Sequence, residues 1–381
     1  MDFNLTEDEQ IIQSTIRDLA QTRFKDRARD IDLNSIYPSK NIKELAELGF
    51  MGSIIDEEYG GAGGSTITYS LVLEEIAKAC ASTSVIVSVA TMVALAIQRE
   101  GTNAQKENFI PRITSGQTLG AFCLTEPQAG SDPSRMKTKA ELVGDDYILS
   151  GQKLWITNAA HSDIFLIMAR EISDSNENSI SAFIVDKTKI EPNTLQIGEP
   201  EKKIGLNGSH TCALFLDNLT IPKENKLGQS GKGLSIALKS LDTGRIGIAS
   251  QAIGIGSAAF EDSLNFAQER EQFGRRIGKF QGISFKFADM KMKLEASRLL
   301  TYKAAWLRDQ GLNHTLESSI AKAYSTETAN EITSNAVRIH GGMGISKELP
   351  IERYHRDVQA TLIYEGTNEI QRLVIARELK L

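Results

Sequence analysis

The sequence predicts an α+β protein in which helices and strands occupy separate domains. Helical periodicity fills the beginning of the 381-residue chain, short β-branched runs follow, and helical periodicity then returns up to the last residue. This order predicts an N-terminal α-helical domain at 1–117, a middle antiparallel β domain at 118–227 and a C-terminal α-helical bundle at 228–381. With 41% hydrophobic residues, the chain can give each of these domains its own core.

The first helix has a recognisable start. Thr6 followed by Glu9 is a capping-box pattern, in which each side chain satisfies a free N–H group at the helix start. Ile12, Ile16 and Leu19 then recur on one helix face, as expected of a helix that buries one side.

Two further helices are predicted at 84–99 and 103–114. The first contains the longest apolar run of the chain, Val85–Ile97. This run is shorter than the roughly 20 residues that a membrane-spanning helix needs, so we expect a buried core helix and no membrane partner.

The middle domain is predicted from short runs rich in apolar and β-branched residues. We expect strands at 119–124, 147–149, 164–169, 180–185 and 213–216. Polar links such as 171–178 separate these runs and are too short to hold crossover helices. An antiparallel sheet or barrel is therefore expected rather than a parallel sheet.

Composition and charge exclude several classes of protein. A formal net charge of −6 argues against a nucleic-acid partner, because phosphate binding needs a basic excess. Cys80, Cys123 and Cys212 are scattered, as are the five histidines, so we expect a reducing compartment and no metal site. The acidic start at 2–7 lacks the basic and apolar segments of a signal peptide. A bacterial-type cytoplasmic location without a targeting segment is expected.

Two familiar nucleotide-binding patterns lack the required context. Residues 254–259 satisfy G-x-G-x-x-A, but they lie within helical sequence with no preceding strand, so small residues for close helix packing are the better interpretation. Residues 274–279 are one residue short of a phosphate loop and lack its closing Ser or Thr.

The loop after the first predicted strand carries the first chemical signal. In the run 123–132, Pro127 and Gly130 force an irregular loop that exposes backbone N–H groups and hydroxyls at a strand end. As an ordered string, this run resembles the flavin-loop signature of the acyl-CoA dehydrogenase family.

The resemblance extends over essentially the whole chain. It includes Trp155-Ile156-Thr157, the run 270–281, the second signature at 341–357 and the catalytic segment 364–371. Short-chain (butyryl-type) members are the most similar, through 241–251 and 363–375. The family's fold has the same three parts, in agreement with the order of elements read from the chain.

The resemblance assigns residues to a bound FAD and to the substrate. The implied FAD contacts are Phe122, Leu124, Thr125, Ser131, Trp155, Ile156, Thr157, Arg270, Phe273, Gln281, Arg338, Gly341, Gly342, Thr367 and Glu369. The implied acyl-CoA contacts are Ser131, Asp242, Arg245, Tyr364 and Gly366.

Several of these residues also have ordinary structural interpretations. Trp155 alone suits a strand core, Arg245 a helix-surface ion pair, and Asp242 a helix cap. Arg338 departs from the family signature, which usually has Gln, Asp or Glu at this position. The resemblance implies that this segment reaches the FAD of a neighbouring subunit, and an Arg can still pair with a pyrophosphate there.

Glu365 is the predicted catalytic base. The α-C–H group of a thioester is only weakly acidic, so its removal needs a positioned carboxylate. Gly366 permits a sharp turn, Thr367 can cap the final helix, and Glu369 lies favourably in its first turn. The resemblance implies that the thioester oxygen is held by the Glu365 N–H group and a flavin ribityl hydroxyl. Some relatives carry the base on the helix near Arg245, and this chain has Gly244 at that position.

The expected function is FAD-dependent dehydrogenation of a short-chain acyl-CoA to the trans-2-enoyl-CoA, as in fatty-acid β-oxidation. The resemblance implies electron-transferring flavoprotein as the acceptor and a homotetramer as the assembly. A branched-chain dehydrogenase and an oxygen-using oxidase stay open as alternatives. A third alternative is a family-like binding protein without dehydrogenase activity, against which the acidic charge and the intact Glu365 count.

Overall fold

The structure is a computed structural model that describes residues 4–172 and 179–381. The first three residues and most of the predicted polar link 171–178 therefore lie outside the described residues. The cytoplasmic location inferred from the start of the chain stays a prediction.

Helices form the N-terminal part of the chain. They are α1 Glu7–Leu19, α2 Lys25–Leu33, α3 Ser39–Glu47, α4 Thr66–Ala79, α5 Ala81–Glu100 and α6 Asn103–Thr114. The predicted capping box is confirmed: the Glu9 N–H group donates to the Thr6 hydroxyl at 3.2 Å, and the Thr6 N–H group donates to the Glu9 carboxylate at 2.9 Å.

The helix α5 contains the long apolar run and lies in the core. Among the described residues, it is the one helix whose length and hydropathy would suit a membrane span, yet 89% of that stretch is buried inside the protein. The prediction of a buried core helix is confirmed. Helix α5 packs against the first strand of the sheet.

The middle part of the chain forms an eight-stranded sheet within the described residues. Its strands are β1 Leu119–Cys123, β2 Lys139–Val143, β3 Asp146–Thr157, β4 Ser162–Ile172, β5 Ser179–Asp186, β6 Leu195–Ile197, β7 Thr211–Pro222 and β8 Lys226–Leu227. The strand order is β6-β7-β3-β2-β4-β5-β8, and β1 pairs with β4.

The predicted antiparallel pairing holds for most of the sheet, but the sheet is mixed, because β1 and β2 both run parallel to β4. A parallel pair needs a long crossover between its strands, and a helix usually supplies it. Here the β2–β3 hairpin itself lies between β1 and β4 in the chain and provides the crossover. The remaining pairings of this sheet are antiparallel.

The C-terminal part is helical again. It contains α7 Gly233–Glu269, the hairpin strands β9 Glu271–Gln272 and β10 Arg275–Arg276, α8 Gln281–Asp309, α9 Thr315–His340, α10 Ile351–Thr361 and α11 Asn368–Glu378. Helix α7 packs against α4, α5, α8 and α9, so it joins the two helical domains.

The G-x-G-x-x-A pattern lies inside α7, as the missing strand context predicted. A Cβ atom on Gly254 would lie 2.4 Å from the Glu74 carbonyl oxygen of α4. The glycine therefore permits close helix packing, and the packing interpretation is confirmed.

Candidate active site

The turn between α10 and α11 has a strained backbone. Glu365 has φ +54° and Gly366 has φ +92°, and a positive φ is unfavourable for a non-glycine residue such as Glu365. The Gln371 side-chain amide donates to the carbonyl oxygens of Glu365 at 3.2 Å and of Gly366 at 3.0 Å. Thr367 is the N-cap of α11, as predicted, and its hydroxyl accepts the Ile370 N–H group at 3.4 Å.

The carboxyl group of Glu365 is buried and unpaired. Both of its oxygens are inaccessible and lack a hydrogen-bond partner, although the residue as a whole keeps some exposed surface. Burial raises the pKa of this carboxyl to about 7, against the opposing charges of Arg245 and Lys322. A carboxylate with this pKa is half ionised near neutral pH and is suited to accept a proton.

Gly244 provides the space that this carboxyl group occupies. A Cβ atom built on Gly244 would lie 2.0 Å from Glu365 Oε2. The absence of a side chain on α7 thus lets the side chain of the turn reach the same place. Glu365 and the α7 position at which some relatives carry their base therefore meet at one point.

Arg245 lies beside this point and is buried. Its guanidinium donates to Asp242 at 2.7 Å and to the Ser319 hydroxyl at 3.4 Å, while its Nε atom is buried without a partner. Thr315 donates to the second Asp242 oxygen at 2.8 Å. Arg245 does form an ion pair, but the pair is buried rather than on the helix surface, and Asp242 lies inside α7 rather than at its cap. Their contacts with acyl-CoA stay a prediction.

Tyr364 connects the turn to α7 and α5. Its hydroxyl donates to the Gln251 side chain, whose amide in turn donates to the Ala81 carbonyl oxygen at 2.8 Å. Tyr364 also borders a hydrophobic cluster that includes Val89, and Phe122 of β1 borders the same cluster. This cluster therefore connects the turn that carries Glu365 to β1 of the sheet.

The predicted flavin segments of the sheet lie next to each other. The Leu154 N–H group donates to the Thr125 carbonyl oxygen at 2.9 Å. The pairing of β3 with β7 shifts between Lys153 and Ile156, and Trp155 in this bulge has φ +60°. Its indole is 53% exposed, so Trp155 is not a core residue of the strand.

A buried ion pair holds the loop that follows β1. Lys153 is fully buried, and its ammonium group donates to Glu126 at 2.8 Å and to the Leu124 carbonyl oxygen at 3.2 Å. Glu126 also accepts the Thr138 N–H group at 3.0 Å. Although burial opposes ionisation, Lys153 and the hydrogen bonds lower the pKa of Glu126 to about 2.

The other predicted residues of this part of the chain differ in exposure. The side chains of Leu124 and Ile156 are buried in hydrophobic cores, so any contact of these residues with a cofactor would come from their backbone. Thr157 is half-buried, and Ser131 is exposed in the loop.

A second group of predicted FAD residues lies far from Glu365. Its members are exposed at the other end of the C-terminal domain: Arg270, Phe273, Gln281, Arg338, Gly341 and Gly342. Stacking of Phe266 on His340, with ring centroids 4.3 Å apart, brings the ends of α7 and α9 together there. Gly244 and Phe266 are separated by roughly 33 Å along α7, at about 1.5 Å per residue. The chain does not bring this group to its own Glu365.

Three sequence models of one family match the chain. Their descriptions are acyl-CoA dehydrogenase, N-terminal domain, over residues 6–117, middle domain over 121–219 and C-terminal domain over 231–380. The chain belongs to the acyl-CoA dehydrogenase family. The fold class and family membership inferred from the sequence are confirmed, while the domain boundaries chosen there stay predictions.

Individual relatives are similar over their full length. The short-chain-specific acyl-CoA dehydrogenase of Clostridium acetobutylicum is 40% identical over 380 residues, which cover 100% of each chain. The solved structure of butyryl-CoA dehydrogenase from Megasphaera elsdenii has a TM-score of 0.96 at 40% identity and covers 100% of both chains. A chain in a structure of the electron transferring flavoprotein of Acidaminococcus fermentans also has a TM-score of 0.96 at 40% identity, covering 100% of this chain and 99% of that chain.

The cofactor of this acyl-CoA dehydrogenase family member is a flavin. The residues present fit such a group. The exposed Trp155 lies beside a loop that the buried ion pair holds in place. The carboxyl group of Glu365 is buried and unpaired, and its neighbour Tyr364 packs against the same cluster as Phe122 of β1. In the described residues, no group of three or more His, Cys, Asp or Glu side chains is arranged to hold a metal ion.

Sequence reasoning missed several residues that support this site. They are Lys322 and Gln371 behind the turn, Gln251 under Tyr364, the pair Glu126 and Lys153 under the loop, and the hydroxyls of Tyr69 and Ser88, 3.1 Å apart. One signal was available for Lys322. It lies on the same helix face as Ser318, Thr326 and Ala329, and a lysine among such small residues indicates a buried charge.

Proposed function

We propose that this protein is an FAD-dependent short-chain acyl-CoA dehydrogenase, which converts its substrate to the trans-2-enoyl-CoA and passes the electrons to an electron-transferring flavoprotein. One observation carries the proposal: the buried and unpaired carboxyl group of Glu365, which occupies the space over Gly244. The full-length similarity to short-chain-specific relatives supports the substrate class.

In this proposal, Glu365 removes the α-proton of the thioester as a carboxylate. No described residue accepts the Glu365 N–H group, which therefore remains available to the thioester oxygen and would stabilise the negative charge that develops there. The apolar cluster bordered by Tyr364 and Phe122 keeps water away from the reacting carbons. Bound FAD would supply the acceptor for the β-hydrogen, which leaves as a hydride.

We assign the predicted FAD contacts to two subunits. The group around Thr125, Trp155 and Thr157 serves the site of its own chain, and the exposed group around Phe273 and Arg338 serves a neighbouring chain. The separation of the two groups along α7 supports this division. Phe273 is 93% exposed at the tip of the β9–β10 hairpin, where a large apolar side chain is unfavourable unless another molecule covers it.

An apolar stripe on α8 supports a homo-oligomer, for which we propose the homotetramer. Phe285, Met292, Leu299 and Trp306 follow one another at intervals of seven residues and are between 50% and 64% exposed. A spacing of two turns places all four on one face of the helix. A second copy of the chain would remove this stripe from water.

A visible spectrum of the purified protein, titrated anaerobically with butyryl-CoA, tests the function. We expect an oxidised-flavin spectrum that bleaches with butyryl-CoA, and Glu365→Gln should keep the spectrum but lose the bleaching. Assays with isobutyryl-CoA and hexanoyl-CoA, and with oxygen in place of an electron-transferring flavoprotein, separate the branched-chain and oxidase alternatives. A colourless protein would contradict the proposal and favour the binding-protein alternative.

A further inference from the structure

Lys322 is a fully buried lysine directly behind the turn that carries Glu365. Its ammonium group donates to the Gly366 carbonyl oxygen at 2.8 Å and to the Asn368 side-chain oxygen at 2.9 Å. It forms no ion pair within 4.0 Å with a carboxylate of the described residues. Placing an ammonium group there is costly, since a buried charge without a close counter-ion loses its hydration.

The hydrogen bonds of Lys322 do not explain why this position holds a cation. The Gly366 carbonyl oxygen already accepts from the Gln371 amide at 3.0 Å, and the Asn368 side-chain oxygen lies 3.2 Å from the Thr326 hydroxyl, a second donor for it. What Lys322 adds is a positive charge next to the unpaired carboxyl group of Glu365.

The charges around Lys322 come from four elements. Arg245 faces it from α7, Glu365 from the turn, Glu369 from α11 and Glu327 from its own helix α9. Glu327 and Glu369 are exposed, and Glu327 is paired with Arg372 at 2.7 Å. Among these carboxylates, Glu365 is the buried one, so it interacts with Lys322 through the least solvent.

We propose that Lys322 is a positioning residue for proton abstraction: its ammonium group holds the turn of Glu365 and supplies the positive charge that keeps this base ionised. The inference rests on the proposed role of Glu365. Burial lowers the pKa of Lys322 and the Glu365 charge opposes this, while Lys322 in turn lowers the pKa of Glu365, so each group favours the ionised form of the other. Arg245, which is held by Asp242, supplies the second and fixed charge.

Lys322→Met removes the charge and keeps the length of the side chain. Since Lys322 lowers the pKa of Glu365, its loss should move the acid limb of the pH profile of kcat/KM upward by about one pH unit. At pH 7 we expect a loss of roughly fivefold, with activity recovering to within about twofold at pH 9. Lys322→Arg should restore the midpoint of the wild-type enzyme.

Gln371→Leu is the matched control, because it removes neutral donors from the same turn. It should lower kcat without moving the midpoint. Infrared difference spectra of the flavin-loaded proteins, with Glu365→Gln as the reference, give the titration of the Glu365 carboxyl group without turnover. They should show the same shift in Lys322→Met.

An unchanged midpoint in Lys322→Met, or an equal shift in Gln371→Leu, would overturn the inference. If Lys322→Met does not retain flavin, Lys322→Gln provides the same comparison. A wild-type protein that fails to oxidise butyryl-CoA contradicts the proposed function instead, and the infrared titration still decides the role of Lys322.

Discussion

Replacing Glu365 by Gln should lower the activity of the protein and raise its stability. The substitution keeps the size of the side chain and removes its charge. In the folded protein, burial raises the pKa of this carboxyl from its usual 4.5 to about 7. The unfolded chain therefore ionises at lower pH than the folded protein, and ionisation of Glu365 opposes folding.

The size of this effect follows from the shift. A difference of about 2.5 pKa units corresponds to a destabilisation of the folded protein by about 3 kcal/mol. This destabilisation is fully present above pH 7 and declines to below about 1 kcal/mol near pH 5. Glu365→Gln should accordingly raise the free energy of unfolding by up to about 3 kcal/mol at pH 8 and by little at pH 5. Its dehydrogenase activity should fall by at least about 10²-fold, the contribution of a positioned base.

The assay is urea unfolding of the flavin-loaded protein at pH 5 and pH 8, alongside flavin reduction by butyryl-CoA. Because the chain has several domains, the midpoints are compared rather than extrapolated free energies. Glu107→Gln on the exposed side of α6 is the control and should change neither measurement. A variant that keeps its activity, or whose stability does not depend on pH differently from the wild type, would refute the reasoning.

Three further substitutions test separate features of the structure. Gly244→Ala should displace the Glu365 carboxyl group and lower kcat by about tenfold or more. Gly256→Ala on the same helix is the control: a Cβ atom there would lie 3.4 Å from its nearest neighbour, so kcat should stay within a few-fold in the same assay. Lys153→Met breaks a buried ion pair and should cost about 3–5 kcal/mol in unfolding experiments, together with lower flavin occupancy by absorbance; normal occupancy and stability would argue against a role for this pair. Leu299→Glu puts charges into the α8 stripe, so light scattering should show smaller assemblies, and an unchanged mass would place the subunit contact elsewhere.

The sequence predicts those parts of the fold that have a local signal. The α6 helix begins and ends where its sequence predicts, and the capping box of α1 forms. By contrast, β2 was not predicted, because the strand has only five residues and Ala140 alone among them is buried. The strands β6 and β8 have three and two residues, too few for any pattern. The parallel pairing of β1 with β4 depends on tertiary contacts that no local pattern records.

The residues of the site likewise fall into those that a local motif identifies and those that it does not. Glu365, Gly366 and Thr367 are adjacent in the chain, so an ordered motif identifies them together. Lys322 and Lys153 act on residues that are distant in sequence, and each alone resembles an ordinary helix or strand lysine. Their importance follows from burial, which depends on how the elements pack.

The distance between Glu365 and the exposed group around Arg270 has a genetic consequence. If each site combines the base of one chain with the hairpin of the next, a substitution within 270–281 disables the site of the neighbouring chain. The altered chain keeps its own base intact. Two inactive proteins, one altered at Glu365 and one at Arg270, should then complement each other when co-expressed. Random pairing would give roughly a quarter of the sites an intact set of residues. Such rescue between alleles is impossible for an enzyme that builds its whole site from one chain.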